Sequence, residues 1–138
     1  MQTKHKQDMG RLVNKFRPYA RILLVIWIIL IIGLALLPEL PVPRIGGKQI
    51  PVRLDYPVHF LEHTALAFLA IISFVSDRTQ KRNLSISFLV LILFAAFAEI
   101  LHLFIHSRTF EFYDLAFNIA GIISGTAIAF CLTEKKQA

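Results

Sequence analysis

The sequence is poor in cysteine and in charge. Its 138 residues include a single cysteine, Cys131, which excludes a disulfide framework and a cysteine-rich zinc module. Charged residues make up only 17% of the chain, against about 25% in a typical soluble domain. Hydrophobic residues reach 56% and the mean hydropathy is +0.62. These values exclude a disordered chain and argue against an ordinary soluble globule.

Long apolar runs place the chain among membrane proteins. Three runs are almost free of charge, and the only carboxylates in the last two of them are Glu99 and Asp114. A fourth run is interrupted by polar residues in its first half. A helix needs about 20 residues to cross the hydrocarbon core, and each run is close to that length or exceeds it. The sequence therefore predicts four transmembrane helices, at about residues 20–37, 56–75, 84–105 and 112–132.

Basic residues are divided unequally between the two ends of these spans. One side has eleven: Lys4, Lys6, Arg11, Lys15, Arg17, Arg21, Arg78, Lys81, Arg82, Lys135 and Lys136. The other side has four: Arg44, Lys48, Arg53 and Arg108. Because basic residues in short loops stay on the cytoplasmic side, both termini are expected there. The net charge of +6 then reflects topology, and we expect no nucleic-acid partner.

The expected fold is an all-α membrane protein. It is a four-transmembrane-helix antiparallel bundle with the N- and C-termini inside and a Pro-rich outer loop between helices 1 and 2. Residues 1–20 are expected to form a basic cytoplasmic segment, residues 21–133 a single transmembrane domain and residues 134–138 a cytoplasmic tail. We expect membrane lipids as its immediate partners.

Two features outside the spans carry local predictions. In the basic segment, Leu12, Phe16 and Tyr19 have a helical spacing, which suggests a short helix lying at the membrane surface. In the outer loop, the pair Gly46-Gly47 marks a turn. The flanking residues 42–45 and 49–53 are therefore candidates for a small hairpin.

Polar residues in three of the spans are spaced by three or four positions, so those in each span share one helix face. On the expected topology these polar side chains lie in the outer half of the membrane or at its outer edge. A charge at the bilayer centre costs about 2.5–3.5 kcal/mol, so an intramembrane Glu is a candidate functional residue. The sequence predicts an outward-facing polar pocket formed by Asp55, His59, Glu62, His63, Glu99, His102, Arg108, Asp114 and Asn118. The structural alternative is that Glu99 pairs with His59 or His63 only to hold the helices in register.

Two further patterns have simpler explanations. Gly121 and Gly125 form a GxxxG motif, which we assign to helix packing inside the bundle. A dimer face is the alternative, and it leaves homo-oligomerisation open. The histidine pairs His59/His63 and His102/His106, with Glu62 or Glu99, have spacings that zinc can use. Five histidines in a membrane chain can reach this arrangement by chance, however, so we assign no metal and no cofactor.

The motifs together resemble one known family. Asp55-Tyr-Pro-Val-His59-Phe60 is followed by Glu99, Arg108-Thr109, Tyr113-Asp114, Asn118, Gly121 and Gly125. This order is similar to that of the VanZ-like family of small bacterial membrane proteins. His102 stands where the family usually has Gln, and His63 where Tyr is common. The resemblance implies a multi-pass protein of the bacterial cytoplasmic (inner) membrane, in a family linked to low-level teicoplanin resistance.

Three functions remain open. The favoured one is binding, without turnover, of an envelope lipid headgroup or a cell-wall intermediate, with Arg108 contacting phosphate. The second is an enzyme acting on a lipid phosphate, with His59 or His102 as nucleophile or base and Glu99 as acid. The third is a proton-linked transporter or flippase that uses Glu99 as the relay.

Overall fold

The fold is described by a computed structural model of the chain. It describes the backbone of residues 2–37, 44–45, 52–53, 55–74, 80–105 and 111–134, and side chains within residues 15–37, 55–74, 83–105 and 111–132. In chain order the elements are α1 (Gln2–Ala35), β1 (Arg44–Ile45), β2 (Val52–Arg53), α2 (Asp55–Phe74), α3 (Gln80–His102) and α4 (Phe112–Glu134).

Each helix contains a stretch that is long and apolar enough to cross a membrane. These stretches are Lys15–Ala35, Asp55–Phe74, Asn83–His102 and Phe112–Leu132, and their hydropathy ranges from 1.4 to 2.5. The prediction of an all-α membrane protein with four such helices is confirmed. Only helices and closed barrels span a bilayer, because its interior has no water to hydrogen-bond with the backbone. The inside position of both termini stays a prediction.

The two strands lie in the loop for which the sequence indicates a small hairpin. They are antiparallel, with Arg44 opposite Arg53 and Ile45 opposite Val52. Each strand has two described residues, and the rest of the predicted segments lies outside the described residues.

The first helix is longer than expected. It runs without interruption for 34 residues, with Pro18 inside it, which at 1.5 Å per residue is about 50 Å. A typical hydrocarbon core is only about 30 Å thick. The basic N-terminal segment therefore continues the first span and does not form a helix of its own.

The centre of the bundle is the pair α2 and α4, which run parallel to one another. Tyr56 stacks on Phe117 with ring centroids 5.1 Å apart. Farther along both helices, a Cβ atom on Gly121 or Gly125 would meet the backbone of Phe60 or Thr64. The absence of side chains at the two glycines lets the helix backbones approach this closely. The GxxxG motif therefore lies inside the bundle.

The other two helices lie against this pair in the opposite direction. Arg17 of α1 donates from Nε to the carbonyl of Ile72 at 3.2 Å, and Trp27 donates from Nε1 to the carbonyl of Glu62 at 2.9 Å. On α3, Glu99 reaches Asn118 of α4. Consecutive helices are thus antiparallel, as expected, although the most extensive contact joins α2 to α4.

The bundle has a small apolar core and an apolar outer surface. Buried side chains of all four helices form the core: Leu24, Ile31, Leu66, Ala67, Ala70, Leu91, Ala95 and Ile122. Large apolar residues such as Ile29 and Leu93 are 65% and 61% exposed. An exposed apolar surface of this extent marks a protein that meets lipid or another protein, and in a four-span membrane protein it is the surface that faces the acyl chains.

Candidate functional site

A buried carboxylate is held between two helices at one end of the bundle. Glu99 lies in the last turn of α3 and is 1% exposed. Asn118 of α4 donates from Nδ2 to its Oε1 at 3.0 Å, and His102 Nδ1 lies 3.3 Å from its Oε2. Buried polar groups need such partners, because burial without them costs the full loss of hydration. The close contacts of Glu99 are therefore with Asn118 and His102, whereas the structural alternative proposed His59 or His63.

A second polar group lies closer to the helix ends. His59 Nε2 is 3.8 Å from Asp114 Oδ2, and Asp55, half-buried, precedes His59 by one turn of α2. Asp114 is in the first turn of α4 and only 5% exposed. The positive end of a helix dipole favours carboxylates at these positions. Parallel packing of α2 and α4 brings both helix N-termini, and with them both acids, to the same end.

The rings of two histidines connect these groups. His59 and His102 pack edge to face, with ring centroids 6.4 Å apart. Because His102 also contacts Glu99, side chains of α2, α3 and α4 form one continuous polar cluster. The structure therefore brings together the predicted residues Asp55, His59, Glu99, His102, Asp114 and Asn118.

His63 lies one helical turn after His59 in α2 and is fully buried. Its Nδ1 is 3.1 Å from the carbonyl oxygen of His59. A carbonyl only accepts, so Nδ1 carries the proton in this contact. Among the described residues, neither His63 Nε2 nor Asn118 Oδ1 has a hydrogen-bond partner, although both atoms are buried. Such atoms are rare in proteins and call for an explanation.

The structure gives fewer contacts for the remaining predicted residues. Glu62 is half-buried, and its backbone carbonyl joins α2 to α1 through Trp27. Arg108 lies outside the described residues, as does His106 of the second histidine pair. The contact of Arg108 with a ligand phosphate therefore stays a prediction.

Sequence reasoning left out an aromatic layer beside the cluster. Tyr56 packs against both Phe117 and Tyr113, with ring centroids at 5.1 and 6.0 Å. Tyr113 and Phe117 are four residues apart and hence share a face of α4, which was a usable signal. The partner on α2 had no such signal, because it depends on how the two helices pack.

One group in the described part of the chain could hold a metal ion. It consists of Asp55, His59 and Asp114, whose ligand atoms all lie within 4.8 Å of one another. It shares His59 with the histidine pairs considered from the sequence, but its other two members are aspartates.

The fold and the cluster together define a class, a multi-pass membrane protein with a buried ionisable cluster at one end of its helix bundle. The family model described as VanZ/LLP1 matches residues 36–133, well over half of the chain, including all of α2 and α3 and all but the last residue of α4. The chain belongs to the VanZ/LLP1 family. No match is found among curated proteins or among solved structures.

Proposed function

We propose that the polar cluster binds the phosphate-bearing headgroup of a lipid or of a lipid-linked cell-wall intermediate, at the outer face of the bacterial cytoplasmic membrane. The observation that carries this proposal is the burial of Glu99 with Asn118 and His102 next to the His59–Asp114 pair. Membrane helices place ionisable groups at such cost chiefly where they meet a polar substrate or ion.

The shared chemistry of the ligand is a phosphate ester close to sugar or glycerol hydroxyls. His59 and His102 can donate to phosphate, and the carboxylates of Asp114 and Asp55 can accept from hydroxyl groups. Arg108, predicted to lie at the entrance, would supply the fixed positive charge. The aromatic layer of Tyr56, with Tyr113 and Phe117, suits the boundary between headgroup and acyl chain, where aromatic side chains collect. The link to teicoplanin resistance would follow if the ligand were a cell-wall intermediate.

A second candidate has one observation in its favour. Both His59 and His102 lie close to carboxylates, an arrangement that orients a general base. The same cluster would then hydrolyse or transfer a lipid phosphate. A product with a new mass separates this activity from binding alone.

The test is native mass spectrometry of the purified protein after incubation with bacterial polar lipids. We expect wild type to retain a phosphate lipid that the combined variant Glu99→Gln, Arg108→Ala, Asp114→Asn loses. Separate incubations with phosphatidylglycerol and with a polyprenyl phosphate distinguish the two sources of the phosphate.

Ser124→Ala is the matched control. It removes a hydroxyl group of α4 that donates to the carbonyl of Ala120 in its own helix, and it should retain the lipid as wild type does. Equal retention by wild type and the combined variant would overturn the proposal and leave the cluster as a device for helix association.

A further inference from the structure

We propose that Asp55, His59 and Asp114 form a binding site for one divalent transition-metal ion, with zinc as the ion to test. The three ligand atoms lie within 4.8 Å of one another and come from two helices. This proposal is independent of the proposed headgroup binding, because it can be tested with the metal ion alone.

The distances suit coordination. Nitrogen and oxygen ligands lie about 2.0–2.2 Å from a tetrahedral zinc ion, so two ligands of one ion are about 3.3–3.6 Å apart. His59 Nε2 and Asp114 Oδ2, at 3.8 Å, are too far apart for a hydrogen bond and only slightly farther apart than two ligands of one zinc ion. Every pair of ligand atoms lies within 4.8 Å, so the longest separation needs to shorten by up to about 1.5 Å for tetrahedral coordination, which rotation of the aspartate side chains supplies.

The charges and the chemical types of the ligands agree with such an ion. Two carboxylates cancel the charge of a divalent cation, and a neutral imidazole adds none, so the loaded site is neutral in a poorly solvated place. An imidazole among the ligands favours zinc and its neighbours over magnesium, which prefers oxygen ligands alone. Three protein ligands also leave a coordination position open.

Favourable placement of acids at helix N-termini would by itself explain Asp55 and Asp114. It does not explain the buried polar atoms one turn farther along the same helix faces. His63 Nε2 follows His59 by four residues and Asn118 Oδ1 follows Asp114 by four, and both are buried without a hydrogen-bond partner among the described residues. A metal-bound water or other ligand in the open position would give these atoms a partner.

The test measures zinc affinity of the full-length protein in detergent, after treatment with a chelator, by competition with a chromophoric zinc chelator. All proteins carry Cys131→Ala, which removes the exposed thiol as an alternative ligand. We expect one zinc ion per chain. His59→Gln and Asp114→Asn should each lower the zinc affinity by more than about 100-fold, a larger loss than follows from replacing a residue that only hydrogen-bonds to a metal ligand.

Two control variants and one direct readout keep the result decisive. Ser124→Ala and His106→Gln should bind zinc as their parent does. X-ray absorption at the zinc edge should show one imidazole and otherwise oxygen ligands. This measurement does not depend on the folding of any variant of the proposed ligands. Unchanged affinity in His59→Gln, loss in His106→Gln, more than one imidazole, or displacement of zinc by excess Mg²⁺ would each overturn the proposed site.

Discussion

At the scale of single residues, Glu99 shows what burial requires of a carboxylate. Its two oxygens face different helices: Asn118 of α4 donates to Oε1, and His102 Nδ1 of its own helix α3 lies 3.3 Å from Oε2, which accepts no hydrogen bond from the described residues. Losing one partner leaves a buried acceptor with neither water nor protein to bond to, which costs more than the bond itself contributes. The cluster is therefore more sensitive to one missing partner than to the removal of a whole pair.

This asymmetry predicts the outcome of a double-mutant cycle. Asn118→Leu should lower the free energy of unfolding by about 1–3 kcal/mol, because it leaves Glu99 Oε1 buried without its donor. Adding Glu99→Leu should recover part of that loss. Equilibrium unfolding in mixtures of detergent and sodium dodecyl sulfate, followed by circular dichroism, measures both. A double variant as unstable as the sum of the two single variants would contradict this account.

A residue without any sequence signal, Trp27, joins α1 to α2. Its indole donates to the carbonyl of Glu62 at 2.9 Å. Trp27→Phe keeps most of the ring and removes the donor, so we expect a loss of about 0.5–1.5 kcal/mol in unfolding free energy. Circular dichroism is the suitable probe, since the chain has one tryptophan and fluorescence would be lost with it. Ile29→Leu, on the exposed side of α1, should change nothing, and an equal loss there would assign the effect to general helix packing.

At the scale of elements, α2 is fixed on two sides by different means. Against α4 it packs backbone to backbone. Against α1 it is held by arginines: Arg17 and Arg21 donate to the carbonyls of Ile72 and Ser73, at 3.2 and 3.4 Å. Both carbonyls lie in the last turn of α2, where no following residue of the helix can donate to them. Two of the basic residues that indicate topology therefore also cap a helix.

The close contact of α2 and α4 predicts the effect of single methyl groups. Gly121→Ala and Gly125→Ala place a Cβ against the backbone of Phe60 and Thr64. Because a backbone cannot move aside as a side chain does, we expect each to cost about 1–3 kcal/mol or more. Thermal unfolding in detergent, read by circular dichroism, measures the change.

The matched control is Gly33→Ala in α1, where a Cβ would have no neighbour within 4 Å. Alanine there should be neutral, or stabilising by up to about 1 kcal/mol, because glycine is the poorer helix former. If all three variants behave alike, helix propensity and not the α2–α4 contact controls the stability.

At the scale of the whole molecule, the polar cluster lies at one end of the bundle and the capping arginines at the other. The cluster gathers around the N-termini of α2 and α4 and the C-terminus of α3. Arg17 and Arg21 meet the C-terminus of α2. If the basic end is cytoplasmic, the cluster opens to the outside, where envelope lipids and cell-wall intermediates are found.

The orientation predicts which loops a membrane-impermeant maleimide can reach in intact cells. On a Cys131→Ala background, a cysteine at position 108 should be labelled from outside and a cysteine at position 81 only after the membrane is opened. Labelling at position 81 alone would place the cluster on the cytoplasmic side. It would leave the polar cluster in place but change the pool of ligands that the cluster can meet.

The sequence by itself determined the class of the protein, the number of its spans and the identity of its polar residues. It could do so because the bilayer accepts only long apolar helices, and because ionisable residues within them stand out by their cost. A spacing of three or four residues along the chain also assigns polar residues to the same helix face. The sequence therefore identified the residues of the cluster but not the contacts between them.

Only the tertiary structure decided which faces meet. It paired Glu99 with Asn118 and His102, brought Asp55, His59 and Asp114 together, and placed Tyr56 on Phe117. These contacts depend on the parallel approach of α2 and α4, which are separated in the chain by the whole of α3. The spacing of residues along one helix does not say which other helix packs against it or how that helix is rotated about its axis. The ligand atoms of a site shared between helices can therefore be identified only from the packed structure.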